Sequence, residues 1–135
     1  MIIGYTTGVF DMFHIGHLNI LARAKELCDY LIVGVSTDEC VEGYKHHVPM
    51  IPYEQRAAIV SAIRYVDEVV PQETMDKTNF LKHRHFDVMF HGDEWKNTEL
   101  YKKYEKEFAE YGARIIYLPH TDGISSTILR KKING

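Results

Sequence analysis

The run Tyr30-Leu31-Ile32-Val33-Gly34-Val35 has no charged side chain at any of its positions. A strand with one wet face alternates apolar and polar residues, so a short unbroken run implies cover on both faces. Strands of this kind belong to parallel sheets, whose neighbours must be joined by crossover segments. The rest of the chain supplies both. Further β-prone runs lie at Ile2–Thr7, Asp67–Val70, Asp87–Phe90 and Arg114–Leu118, and Pro71 is expected to close the third strand. Between Gly16 and Asp29, the residues Leu18, Leu21, Ala22, Ala24 and Cys28 recur at helical spacing. Pro52 opens a second helix, with a buried face predicted at Ala57, Ile59, Val60, Ile63 and Tyr65. Glu99 to Tyr111 reads as a charged surface helix ended by Gly112, and Ser125 to Ile133 as the last helix. The polar stretch Glu42 to Pro52, with Gly43, Pro49 and Pro52, reads as a loop that includes Lys45. The predicted class is α/β, a doubly wound parallel five-stranded sheet with helices on both faces.

Length and charge narrow the function. The 135 residues suit one domain spanning 1–135. A net charge of -3 gives no general pull toward nucleic acid or an anionic membrane, so neither is an expected partner. A phosphate-rich ligand then needs a local cluster of donors. The two cysteines, Cys28 and Cys40, make no disulfide framework or metal motif. Without a signal peptide or long apolar run, and with a strand starting at Met1-Ile2-Ile3, a reducing cytoplasmic setting is expected.

Ligands of doubly wound sheets bind beyond the carboxyl ends of the strands, and the unusual residues cluster there. After the first strand comes Thr7-Gly8-Val9-Phe10-Asp11-Met12-Phe13-His14-Ile15-Gly16-His17. His14 and His17 are three apart across a helix start, so both rings can face one point. Two imidazoles beside a helix N-terminus form a donor set for a polyphosphate, and Gly16 admits close approach. After the last strand, Thr121-Asp122-Gly123-Ile124-Ser125-Ser126-Thr127 opens the last helix, with hydroxyls and N–H groups placed for phosphate oxygens. Gly92-Asp93-Glu94-Trp95-Lys96 carries the only tryptophan, suited to stack on a base or wall a pocket. Lys45, followed by His46 and His47, is the nearest basic cluster for a phosphorylated acceptor. The histidine pairs lack a third local ligand, which argues against zinc.

Taken together, these residues resemble the bacterial glycerol-3-phosphate cytidylyltransferases and their choline- and ethanolamine-phosphate relatives. The likeness runs through Gly8-Val9-Phe10-Asp11, His14-Ile15-Gly16-His17, Arg64-Tyr65-Val66-Asp67-Glu68-Val69, Gly92-Asp93-Glu94-Trp95 and Thr121 to Thr127. The HxGH tetrapeptide also occurs in adenylyltransferases, whereas the tail motif is far more specific. The resemblance implies a Rossmann-like homodimer that moves a cytidylyl group from CTP to a small phosphorylated alcohol, with Mg2+ carried by the triphosphate. Glycerol 3-phosphate is the leading acceptor, giving CDP-glycerol for teichoic acid or capsule. By the same likeness, His14, His17 and Lys45 are catalytic. Gly8, Val9, Phe10, Ile15, Gly16, Gly92, Asp93 and the tail from His120 to Thr127 bind nucleotide, and Asp11, Lys45, Arg64, Lys77 and Trp95 bind acceptor. His120 stands where the family carries arginine, and His46 and His47 where it carries further lysines.

Overall fold

The computed structural model describes residues 1–119. The predicted last helix and the tail from His120 to Thr127 lie outside them. Five strands, β1 (Ile3–Gly8), β2 (Tyr30–Ser36), β3 (Glu68–Gln72), β4 (Val88–Gly92) and β5 (Arg114–Leu118), form one sheet in the order β3-β2-β1-β4-β5. All pairings are parallel, with Thr6 opposite both Val33 of β2 and Phe90 of β4. The helices are α1 (Ile15–Glu26), α2 (Asp38–Lys45), α3 (Tyr53–Ser61), α4 (Lys77–His83) and α5 (Glu99–Ala109).

The unbroken apolar run of β2 has the cover that its pattern demanded. Leu31, Val33 and Val35 pack on one face with Leu21 and Ala24 of α1 and Val60 of α3. Ile32 packs on the other with Leu81 of α4 and Tyr101, Tyr104 and Phe108 of α5. Both faces are therefore dry, as the doubly wound architecture requires. α5 ends at Ala109, two residues short of the predicted Tyr111, and Gly112 turns the chain just beyond it. Gly112 takes φ +75°, and the N–H groups of Gly112 and Ala113 donate to the carbonyls of Ala109 and Phe108, closing a Schellman cap.

An aspartate stands just before each of three strands and holds the neighbouring strand. Asp67 accepts from the Leu31 N–H at 2.8 Å, Asp87 from Ile3 at 2.8 Å and Asp29 from Ile2 at 2.7 Å. These bonds satisfy strand-end donors at the N-terminal edge of the sheet and help to fix register.

Four local expectations need correction. The loop predicted from Glu42 begins late, because α2 continues to Lys45; the Thr37 side chain caps it and His46 ends it at φ 60°. Lys45 is thus the last residue of a helix. Ile59, predicted as buried, is 45% exposed, and Arg56 takes the inward position at 1%. Pro71 does not close β3 but lies within it, opposite Val35. β3 is an edge strand, where a missing N–H leaves no ladder bond unmade. Helix α3 stops at Ser61 rather than reaching Tyr65.

Candidate active site

Strand order reverses between β1 and β4, so the crevice at their carboxyl ends is the topological switch point. The β1–α1 loop lies over this crevice, and its backbone is forced. Phe10 and Met12 take φ 54° and 50°, a left-handed region unfavourable for bulky residues. Such strain persists only where surroundings over-determine it, and it concentrates at functional sites. Here the burial of Phe10 supplies the constraint: its ring packs edge-on to His17 at 5.4 Å and against Phe13 at 6.3 Å.

The two histidines are fixed by the helix that they begin. His14 is the N-cap of α1, and its Nδ1 accepts from the Gly16 N–H at 3.0 Å. His17 reaches back, its Nδ1 accepting from the His14 N–H at 3.1 Å. The pair is a capping box built from imidazoles. With both Nδ1 atoms occupied as acceptors, each neutral ring carries its proton on Nε2. The rings stack with centroids 3.9 Å apart and planes 23° from parallel. The His14 Nε2 is buried without a partner among the described residues. Two N–H donors side by side, one of them buried and unanswered, suit an anionic oxygen.

Electrostatics keeps this pair neutral in the free protein. Burial lowers the His14 pKa, and burial with repulsion from His14 pushes His17 down to about 3, against a weaker pull from Asp11. A depressed folded-state pKa means that the unfolded chain takes up a proton more readily. His17 therefore contributes its full stability above about pH 6.5 and loses it as pH falls toward 3. At pH 5 the expected loss from His17 is about 2 kcal/mol. Urea unfolding of the wild type and His17→Asn at pH 7 and pH 5 measures this. The variant, which has no ring to titrate, is expected to show the shallower pH dependence, and equal slopes would contradict it.

The surroundings of the loop rest on two buried charges. Asp11 is 1% exposed and accepts from the N–H groups of Met50 and Ile51 at 2.8 and 2.9 Å, holding the α2–α3 connection against the histidine loop. Arg56 donates to the carbonyls of Val9, Ser36 and Ile51 and pairs with Asp38. One guanidinium thereby joins the ends of β1 and β2, the start of α2 and the connection before α3. The sequence signal for Arg56 was its position four before Val60 and seven before Ile63, on the buried stripe.

Several further residues lie at the same end of the sheet. Gly8 ends β1, and Val9 and Ile15 flank the loop. Gly92 ends β4, and Asp93 begins the short 3-10 turn Asp93–Trp95. Trp95 is 40% exposed and packs on Tyr101 at 5.4 Å, so it forms a half-exposed wall. Lys77, the first residue of α4, is buried and borders an open cavity of about 260 Å³ shared with Gln72, Thr74, Asp76 and Asn79. Lys45 is exposed at the end of α2, its ammonium over the Tyr44 ring at 5.7 Å. Arg64 is not brought to them within one chain. It precedes β3 at the amino end of the sheet, against Tyr65 at 5.3 Å.

Comparison with known proteins agrees with this geometry. The sequence profile of the Cytidylyltransferase-like family matches residues 5–132. The chain is 39% identical over 132 residues to glycerol-3-phosphate cytidylyltransferase of Bacillus subtilis (strain 168), covering 96% of this chain and 95% of that protein. It is 38% identical over 129 residues to the ethanolamine-phosphate cytidylyltransferase of Mus musculus, covering 90% of this chain but only 30% of that protein. Its structure resembles the lipopolysaccharide core biosynthesis protein from Thermoplasma volcanium GSS1, with TM-score 0.79, 26% identity and coverage of 90% of this chain and 99% of the other. A strained loop over the switch point, two imidazole donors at a helix start and a profile match along nearly the whole chain meet in one conclusion: the chain belongs to the cytidylyltransferase-like family and is a nucleotidyltransferase.

Proposed function

We propose that the protein transfers a cytidylyl group from CTP to glycerol 3-phosphate, giving CDP-glycerol and pyrophosphate. The observation that carries this reading is the stacked His14–His17 pair, which presents two Nε2–H donors at the switch point. Near-complete mutual coverage with the Bacillus subtilis relative supports glycerol 3-phosphate as the acceptor. In the reaction, a phosphate oxygen of the acceptor forms a bond to the α-phosphorus of CTP, and the bond from that phosphorus to the bridging oxygen of pyrophosphate breaks. His14 and His17 hold the triphosphate and stabilise charge that grows on the α-phosphate and the leaving group. The chain supplies position and electrostatics, and no covalent intermediate is needed.

Mg2+ enters on the triphosphate in this reading, and there it neutralises charge. In the described histidine loop, both Asp11 carboxylate oxygens already accept from the N–H groups of Met50 and Ile51, which supports placing the metal on the triphosphate. Nucleotide contacts from the tail at Ser125, Ser126 and Thr127 belong to the same proposal, as does the acceptor role of Lys45. A cytoplasmic setting and a role in teichoic-acid or capsule supply complete it. Among the described residues no helix is long and apolar enough to cross a membrane.

A screen of pyrophosphate release tests the reading. CTP with glycerol 3-phosphate and Mg2+ is expected to give the highest kcat/KM, with ATP, phosphocholine and phosphoethanolamine far behind. Preference for ATP would move the chain to the adenylyl branch, and preference for another acceptor would replace glycerol 3-phosphate. We further propose a twofold homodimer, supported by the exposed Ala58, Ile59 and Ala62 on the outer side of the α3 segment. Light scattering at micromolar concentration is expected to give twice the 15.7 kDa chain mass; a monomer mass alone refutes the dimer.

A further inference from the structure

The cavity that Lys77 borders opens on the α4 face of the sheet beside β3, two strands from the histidine loop. Gln72 at the end of β3, the connection to α4 and α4 itself supply most of its wall. The phenol of Tyr5 also lines it, although Tyr5 lies in β1, on the far side of β2. It reaches the cavity over Gly34. A side-chain carbon on Gly34 would stand 2.8 Å from the Tyr5 hydroxyl oxygen, so the glycine leaves that oxygen its place.

Tyr5 is 1% exposed, and among the described residues its hydroxyl has no hydrogen-bond partner. The ring cannot turn away, because it stacks on Phe80 at 4.4 Å and on Phe86 at 4.9 Å. Burial pushes the phenol up, which keeps it a neutral O–H able to donate and to accept. A buried hydroxyl left unanswered is costly, and here the cavity is the place from which an answer can come. Gln72 adds a second polar group. It is buried, its Oε1 accepts from the Ser36 hydroxyl at 2.7 Å, and its NH2 group has no partner among the described residues.

The charges around the cavity narrow the chemistry of an occupant. Glu73 and Asp76 repel an anion, and the buried Lys77 repels a cation. Hydroxyls suit both signs, because each donates to a carboxylate and accepts from an ammonium or amide N–H. The stacked Tyr5 and Phe80 rings give carbon an apolar wall. At about 260 Å³ the space is smaller than a drug-sized pocket, so the occupant is compact.

We propose that this cavity is a second ligand site, separate from the nucleotide crevice, which takes a compact polyhydroxy compound and uses the Tyr5 hydroxyl to recognise it. Among the described residues, neither the histidine loop nor Lys45 nor Trp95 lines it. The site stands whatever acceptor the transfer reaction uses.

The test is titration of the isotope-labelled full chain with sorbitol, followed by NMR through the backbone amides of Gly34, Gln72 and Lys77. Saturable shifts confined to the cavity are expected, with a Kd on the order of millimolar. Pentanediol, with fewer hydroxyls, is expected to bind several-fold more weakly. Tyr5→Phe keeps the stacked ring and removes only the O–H. It is expected to weaken sorbitol binding roughly three- to tenfold and to leave the KM for CTP unchanged. Should that variant fail to fold, Gln72→Met removes the other polar group, and the same direction is expected. Shifts that stay linear in sorbitol overturn the proposal, as does equal binding by wild type and variant. Tighter binding of inorganic phosphate or ethylammonium at the same amides overturns the polyol class. Loss of the sorbitol shifts on adding glycerol 3-phosphate overturns a separate site, since the cavity would then belong to the acceptor.

Discussion

His17→Ala is expected to lower turnover about 100- to 1000-fold, equivalent to roughly 2.7–4 kcal/mol of lost transition-state stabilisation, the range for removing one preorganised donor. The structure shows that this substitution removes two things at once. It deletes the Nε2–H proposed above to donate to the triphosphate and the Nδ1 that caps the His14 N–H. His17→Asn separates them, because its side-chain oxygen can accept from that N–H while nothing replaces Nε2. It is therefore expected to retain wild-type thermal stability at neutral pH and still lose turnover on the same scale. Steady-state kinetics and thermal unfolding on both variants decide the matter. An Asn variant with near-normal turnover would show that His17 serves only as a cap, and transition-state charge would then rest on other residues.

Arg56→Met is expected to be the most destabilising single change at this end of the sheet. The side chain is 1% exposed and donates to three main-chain carbonyls as well as to Asp38. Methionine preserves much of the length and answers none of these acceptors. Breaking a buried, hydrogen-bonded charge network by removing one partner costs about 3–5 kcal/mol, because the remaining groups stay desolvated and unpaired. Asp38 is partly exposed, so the loss should fall toward the lower end of that range. In thermal unfolding this corresponds to a fall in Tm on the order of 10 °C. Arg56→Lys, which retains a charge but cannot spread donors over four acceptors, is expected to recover only part of it. A midpoint within a degree or so of wild type for Arg56→Met would mean that water replaces the guanidinium, and that the strand ends do not depend on it. Loss of activity is a second expected effect, through the Val9 carbonyl and the strained loop that follows it.

The sequence by itself determined the alternation of strands and helices, the parallel sheet and the strand ends at which function gathers. Each of these follows from patterns a few residues long. The apolar run of β2, the helical spacing of Leu21 and Ala24, and the glycine after α5 carry their meaning locally, because burial period and backbone freedom are local properties. His14 and His17 were legible for the same reason: three residues of separation at a helix start bring two side chains together whatever else the chain does. Their tautomers were not legible, since those depend on which backbone N–H each Nδ1 meets. Neither was α2, whose helix runs into a segment that Gly43 and the later prolines mark as loop; the Thr37 cap and the packing of Cys40 and Val41 prevail over that local tendency. Arg56 shows the limit most plainly. Its acceptors, Val9, Ser36, Asp38 and Ile51, are scattered over four segments of chain. An arginine in a helix pattern reads as solvated until the fold gathers such partners around it. Local pattern fixes which elements form and where their ends lie; only packing brings distant polar groups close enough to answer, or to leave unanswered, a buried charge.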